Sequence, residues 1–223
     1  MSNSVLAVAA HADDEALGCG GSLAKHVAAG DKVHVIFVAD GVTSRGGAGQ
    51  DDLVRRQQAT EKARQILGIS TMTFLDLPDN RLDSLPRLDI VQPLETLIGK
   101  LQPEIIYTHH YGDLNVDHRL VHQAVMTACR PLPGSTVREI LAFEVMSSTE
   151  WSSPGLAPFL PNFFVDISAQ MEIKMQALQA YALEMRVPPH SRSAEHVRCL
   201  AKHHGYCVGV DAAEAFMAMR VLR

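Results

Sequence analysis

The sequence predicts an α/β fold: a doubly wound, mostly parallel sheet with helices on both faces. Three observations carry this. Apolar runs of strand length recur along the chain, segments of helical pattern separate them, and 223 residues suffice for one such domain with a full core. Alternation of this kind implies right-handed crossovers, which lay parallel strands side by side between two helical layers.

The elements follow in order. Residues 4–10 form an apolar run, the pattern of a buried strand, and the small, glycine-containing segment 16–26 is helical. Gly30 stops that helix. Residues 33–39 (Val-His-Val-Ile-Phe-Val-Ala) are rich in branched side chains and form a second, central strand. The glycine-rich stretch 40–50 lacks the G-x-x-x-x-G-K-[ST] pattern of a phosphate-cradling loop and is expected to be a mobile loop beside the site. Asp51 or Asp52 caps a helix that runs to about Leu67, with Gly68 as its stop; a strand follows near 71–75, and Leu77-Pro78-Asp79-Asn80 marks a turn. A helix over 88–101 leads through Pro103 to a strand at 105–108.

That strand runs into a second polar loop, 109–122, in which Asp117 is a candidate cap for a helix continuing to about Cys129. A strand at 140–145, a Pro/Ser-rich connection at 147–161, a short strand at 163–167 and a helical pattern over 169–185 come next. Residues 187–193 break the pattern before a last helix over 194–203. No internal repeat or low-complexity tract is present. Residues 1–223 are expected to form one domain, with about 147–223 packed as an elaboration on the same core.

Composition excludes several classes of function. A net charge of −5, a pI near 6.1 and scattered Lys and Arg leave no footprint for nucleic acid. There is no basic leader and no apolar run approaching the roughly 20 residues of a membrane span, so a soluble, cytoplasmic protein is expected. Cys19, Cys129, Cys199 and Cys207 are far apart and form no C-x-x-C pair, which disfavours a disulfide framework or a thiolate zinc site.

The chemistry concentrates at His11-Ala12-Asp13-Asp14-Glu15, on the turn between the first strand and the first helix. Ligands of open α/β sheets bind at the carboxyl ends of strands. Three carboxylates and a histidine packed there repel one another and resist desolvation unless a cation or a proton-transfer task occupies the site. Capping the helix needs one carboxylate, not three. The second loop carries His109, His110, Asp113, Asn115, Asp117, His118 and His122. If the two strands are neighbours the loops converge, and together they supply the His and Asp ligands of a catalytic zinc with one position left open. Spacing alone leaves the ligands undecided. An extended segment turns His11 and Asp13 the same way, a helical turn pairs His11 with Asp14, and His118, His122, His109 or His110 can serve from the other loop. Gly18-x-Gly20-Gly21 is an incomplete dinucleotide fingerprint and is better explained by close helix packing.

The stretch Ala10-His11-Ala12-Asp13-Asp14-Glu15 resembles the A-H-P-D-D-E signature of the PIG-L/LmbE-like zinc N-deacetylases. Asp113-Leu114-Asn115-Val116-Asp117-His118-Arg119 resembles their second motif, and segments at 162–167, 189–193 and 213–216 resemble their C-terminal parts. The resemblance implies a Rossmann-like sheet, one zinc per chain (or another divalent ion such as Fe2+) held by His11, Asp14 and His118, and Asp13 as general base. It further implies removal of an N-acetyl group from an N-acetylglucosamine-type conjugate by metal-activated water. Two departures matter. Ala12 stands in the place of proline, at some cost in turn rigidity. Asn115 stands where some members have a histidine, and an amide donates a hydrogen bond but shuttles no proton, so His190 is the candidate in its place.

Asp113 and Asp117 are candidates for orienting the metal ligands. Arg55, Arg56 and Arg192 are candidates for holding sugar hydroxyls or an anionic leaving group. A homo-oligomer is expected, with the 147–161 connection and the His190 loop able to reach a neighbour. The competing readings are an amidase for another amide or a thiol-sugar conjugate, and a non-catalytic metal- or sugar-binding module, against which the presence of Asp13 argues.

Overall fold

The computed structural model describes residues 2–41 and 50–223, so the loop expected at 40–50 lies almost wholly outside the described residues. The chain alternates strand and helix through its first half: β1 (Ser4–Ala9), α1 (Asp14–Ala28), β2 (Lys32–Ala39), α2 (Gln50–Leu67), β3 (Thr71–Leu77), α3 (Arg87–Leu101), β4 (Ile105–His109) and α4 (Val116–Ala128). It continues through β5 (Glu139–Phe143), β6 (Phe163–Asp166), α5 (Met171–Ala180), α6 (Ala194–Val208) and β7 (Ala213–Val221). The seven strands make one sheet in the order β3-β2-β1-β4-β5-β7-β6. The first five are parallel, while β7 runs antiparallel to both β5 and β6.

Alternation along β1 divides the core. Val5, Ala7 and Ala9 face Leu17 and Leu23 of α1, Leu67 of α2 and Met175 of α5, whereas Leu6 and Val8 face Ile90 and Leu94 of α3 and Val121 and Val125 of α4. Helices therefore cover both faces, as the unbroken apolar run of a central strand requires. Gly18 and Gly21 of α1 have a packing role, as the incomplete fingerprint suggested. A Cβ on Gly18 would run into the Phe143 ring, and one on Gly21 would sit 2.8 Å from Ile167. No helix is long and apolar enough to cross a membrane.

Several boundaries differ from expectation. Strand β7 is not apparent in the sequence, because Ala-Glu-Ala-Phe-Met-Ala-Met carries helix-favouring residues and a buried charge. The charge is tolerated because Glu214 accepts from the backbone N–H of Gly21 and of Ser22, and Lys174 Nζ donates to it at 2.6 Å. Helix α5 stops at Ala180, short of the expected 185, and α6 runs on to Val208 before Gly209 closes it with φ +81°. The cap of α4 is Asn115, whose side chain accepts from Asp117 N; Asp117 lies inside the first turn with its carboxylate committed elsewhere.

What positions the site is the strand order. The chain moves outward from β1 to β2 and β3, then returns to lay β4 on the other side of β1. The loops leaving the carboxyl ends of β1 and β4 thus flank a topological switch point, where an open α/β sheet has its crevice.

Candidate metal centre and active site

The β1–α1 turn delivers His11, Asp13 and Asp14 to that crevice, and all three are buried. Asp14 Oδ2 accepts the backbone N–H of His11 at 2.9 Å and lies 3.3 Å from His11 Nδ1 and 3.4 Å from His118 Nε2. These donor atoms lie within 4.8 Å of one another. Ligands on a tetrahedral ion with bonds of about 2.1 Å are about 3.4 Å apart, so the spacing suits zinc. Asp14 Oδ1 is buried with no hydrogen-bond partner, a costly state for a carboxylate oxygen unless a cation takes it up. The donor set fits the ion that the first and second motifs imply.

The electrostatics point the same way. Burial alone would raise Asp14, yet His118 and His11 hold it well below the usual carboxylate range. Burial works against a charged His118 ring, but Asp14 and Asp113 outweigh it and bring the ring to about 9. His11 is likewise raised against its burial, by Asp117, Asp14 and Asp79. The carboxylates that favour positive charge on these two rings favour a divalent ion in the same place.

Further carboxylates stand behind these side chains. Asp113 Oδ1 lies 3.2 Å from His118 Nδ1 and is itself fixed by the hydroxyls of Ser148 and Thr149 and by Asn115 N. Burial would raise Asp113, but His118 and those hydroxyls keep it well below its ordinary value. On the far side of His11, Nε2 is 3.2 Å from Asp117 Oδ2 and 3.0 Å from Asp79 Oδ1. Asp117 also accepts from Asn80 N and Leu82 N, which ties the turn after β3 to the site. His11 thus turns Nδ1 to Asp14 and Nε2 to Asp79 and Asp117, and it belongs to two groups that could hold a cation, His11/Asp14/His118 and His11/Asp79/Asp117. Asp79 is the member that sequence reasoning missed; the available signal was its place beyond the carboxyl end of a parallel strand.

The histidines left open separate cleanly. His109 Nε2 accepts the backbone N–H of Ala10 at 2.8 Å, and its ring stacks on His118 with centroids 3.9 Å apart. Burial and the neighbouring His118 push it well down, so it is a neutral support for the ligand. His122 Nδ1 pairs with His109 O, and His110 Nε2 with Ala157 O. None of the three belongs to a candidate metal group among the described residues.

Asp13 stands beside the ligands with a backbone φ of 126°, a conformation costing on the order of 1–3 kcal/mol for a residue with a side chain. Its N–H donates to Glu15 Oε2 at 3.0 Å, Glu15 Oε1 accepts from the Tyr181 hydroxyl at 2.7 Å, and Ala16 N and Leu17 N donate to its carbonyl. Glu15 is therefore a strut for the turn, beyond the dipole-facing residue its position suggests. Arg192 Nη1 donates to Asp13 Oδ2 at 2.9 Å, and Arg56 Nη2 is 4.0 Å from Oδ1 while donating to Ala12 O. Burial and the Asp14 charge push Asp13 up against the pull of the two arginines.

A polar cleft of about 150 Å3 opens over this group, lined by His11, Asp13, Arg56, Asp79, Asn115 and Arg192 among others. His190 Nδ1 accepts the backbone N–H of Arg192 and its ring packs edge-on to Trp151, so it adjoins the segment that carries Arg192.

The family model PIG-L, GlcNAc-PI de-N-acetylase, matches residues 6–129, the half of the chain that carries both loops. The chain belongs to the PIG-L family. This PIG-L chain is 34% identical over 183 residues to the uncharacterized deacetylase YaiS of Escherichia coli, covering 79% of the chain and 89% of that protein. It is 27% identical to the diacetylchitobiose deacetylase of Thermococcus kodakarensis, over 94% of the chain and 80% of the relative. In structure it resembles the 4-carboxy-2-hydroxymuconate hydratase of Pseudomonas putida, with a TM-score of 0.77, 22% identity and coverage of 100% and 99%. That likeness extends the Rossmann-like fold to the whole chain, beyond the segment the family model matches.

Proposed function

We propose that this protein is a metal-dependent N-deacetylase that hydrolyses the acetamide of an N-acetylglucosamine-type conjugate, releasing acetate and a free amine. The observation that carries the reading is the carboxylate of Asp14, within 3.4 Å of both His11 and His118, with Asp13 next in sequence but turned to the cleft under Arg192. Such a division suits hydrolysis: one carboxylate to hold a cation, the other to move a proton.

A divalent ion held by His11, Asp14 and His118 supplies a Lewis acid that polarises water and a carbonyl oxygen. Asp13 takes the proton from the attacking water as the oxygen–carbon bond forms, then delivers it to the nitrogen as the carbon–nitrogen bond breaks. One carboxylate carrying that proton in both directions removes the need for a histidine at position 115. Arg192 fixes the rotamer of Asp13 for both transfers. Asn115 lines the cleft and supplies a donor to a sugar hydroxyl, Arg56 closes its wall through Glu184 and Ala12, and Asp113 and Asp117 stand behind His118 and His11 to hold them in metal-binding orientations.

The name diacetylchitobiose deacetylase, borne by one relative, supports an amino-sugar substrate. The hydratase among the structural likenesses uses the same fold for a different reaction, so the decisive assay must read acetate and not mere loss of substrate. Zinc-loaded protein incubated with N-acetylglucosamine conjugates is expected to release one acetate per amine exposed, with Asp13→Asn inactive. Absence of acetate across a panel of acetylated amino sugars and simple amides would overturn the reading.

A further inference from the structure

We propose that a groove between α2 and the segment following α5 binds the part of the substrate beyond the amino sugar, and that this part is an apolar group bearing an acid. The inference rests on the deacetylase reading above and extends it to the leaving-group side. A cavity of about 300 Å3 lies between these elements, within the size range of small-molecule sites. It borders the polar cleft directly. Arg56 and Glu184 line both, joined by an ion pair of 3.1 Å that forms the partition between them.

The helix supplies its wall by spacing. Arg55, Gln58, Ala59 and Lys62 stand at i, i+3, i+4 and i+7 of α2 and share one face. Opposite them, Ala180, Ala182 and Leu183 provide carbon surface, and the Leu183 side chain is 70% exposed with no cover among the described residues. The rim carries Arg55 and Lys62 together with Asp52, so cations outnumber the acid there. Arg55 and Lys62 are exposed, and neither has an ion-pair or hydrogen-bond partner among the described residues, whereas Arg56 is committed to Glu184 and Ala12. Arg55 and Lys62, with no partner among the described residues and set beside an apolar wall one ion pair away from Asp13, match a ligand whose acid lies distal to its sugar.

The test compares three glycosides of N-acetylglucosamine: methyl, phenyl and 4-carboxyphenyl. With zinc-loaded protein, kcat/KM for the 4-carboxyphenyl glycoside is expected to exceed that for the methyl glycoside tenfold or more, chiefly through KM. In the Arg55→Glu/Lys62→Glu double variant that ratio is expected to fall to near one. Saturation-transfer NMR with 4-hydroxybenzoate, which needs no turnover, is expected to give a signal with the wild-type chain and none with the variant. Equal kcat/KM for the methyl and 4-carboxyphenyl glycosides overturns the groove and leaves the deacetylase reading intact. Equal values for the phenyl and 4-carboxyphenyl glycosides overturn the role of the two cations. Release of acetate from no glycoside, with the 4-hydroxybenzoate signal present and lost in the variant, overturns the deacetylase reading and keeps the groove.

Discussion

Arg192 Nη1 donates to Asp13 Oδ2 at 2.9 Å, closing a contact between residues 179 positions apart and anchoring the carboxylate proposed as the general base. The guanidinium is itself held, with Nε donating to Met146 O. Arg192→Ala is expected to lower kcat about 10- to 100-fold with a small change in KM, because a positioning contact acts on the reacting geometry more than on ground-state binding. Arg192→Lys, which keeps the charge but loses the fork, should recover part of the loss. A rise in KM at constant kcat would reassign Arg192 to substrate binding.

Asp13→Asn should retain one metal ion per chain by elemental analysis while activity falls about 10²- to 10⁴-fold, the range for losing a general base. The amide keeps the size and one acceptor of the carboxylate but cannot take a proton. Metal lost together with activity would mean that Asp13 is a ligand.

His118→Ala should lose the metal itself. Its ring supplies Nε2 to the Asp14 group while Asp113 sits behind Nδ1. Chelator competition is expected to show a weaker zinc site in Asp113→Asn as well, by about 10- to 100-fold, the usual cost of removing a partner behind a metal ligand. Unchanged zinc affinity in both variants would move the metal to the alternative group of His11, Asp79 and Asp117.

The buried pair Lys174–Glu214 predicts an asymmetric stability effect. Lys174→Met leaves Glu214 buried, with Gly21 N, Ser22 N and the Ser22 hydroxyl still donating to it. Urea unfolding should show a loss of about 3–5 kcal/mol, as for other buried pairs broken on one side. The double variant Lys174→Met/Glu214→Gln should lose less than the sum of its parts, since the uncompensated charge is gone.

The four thiols should divide two and two. Cys199 and Cys207 are exposed, Cys19 and Cys129 buried, and all are free. Burial, opposed by Arg220, pushes the Cys129 thiol up to about 12. Native protein at pH 8 is expected to react with a disulfide reagent at two thiols, the remainder only on unfolding. The sign for stability follows. The unfolded thiol ionises near its ordinary value while the folded one keeps its proton to about 12, so stability is lost as pH climbs between those values. Four fast-reacting thiols in the native protein would contradict this.

Much of the architecture was legible in the sequence because central strands declare themselves. Residues 5–10 and 35–39 are apolar without interruption, and they stop at His11 and Asp40. That placed His11, Asp13 and Asp14 on a strand-to-helix turn and His118 on a second loop. Strand β7 escaped notice because its alanines, methionines and Glu214 suit a helix as well as a strand, and only Lys174 and the α1 backbone make its charge tolerable.

The sequence by itself determined which chemistry the chain carries: a histidine and adjacent aspartates at the end of the first strand, a second His/Asp loop, and the family to which they belong. The tertiary structure decided which of those groups meet. Spacing allowed His11 to pair with either aspartate and offered four histidines on the second loop. The laying of β4 against β1, together with the φ of 126° at Asp13, brings Asp14 and His118 together with His11 and turns Asp13 toward Arg192. Asp79, Glu184 and Arg192 join from segments remote in sequence. Their contacts arise from strand order and helix packing, which local propensity does not encode.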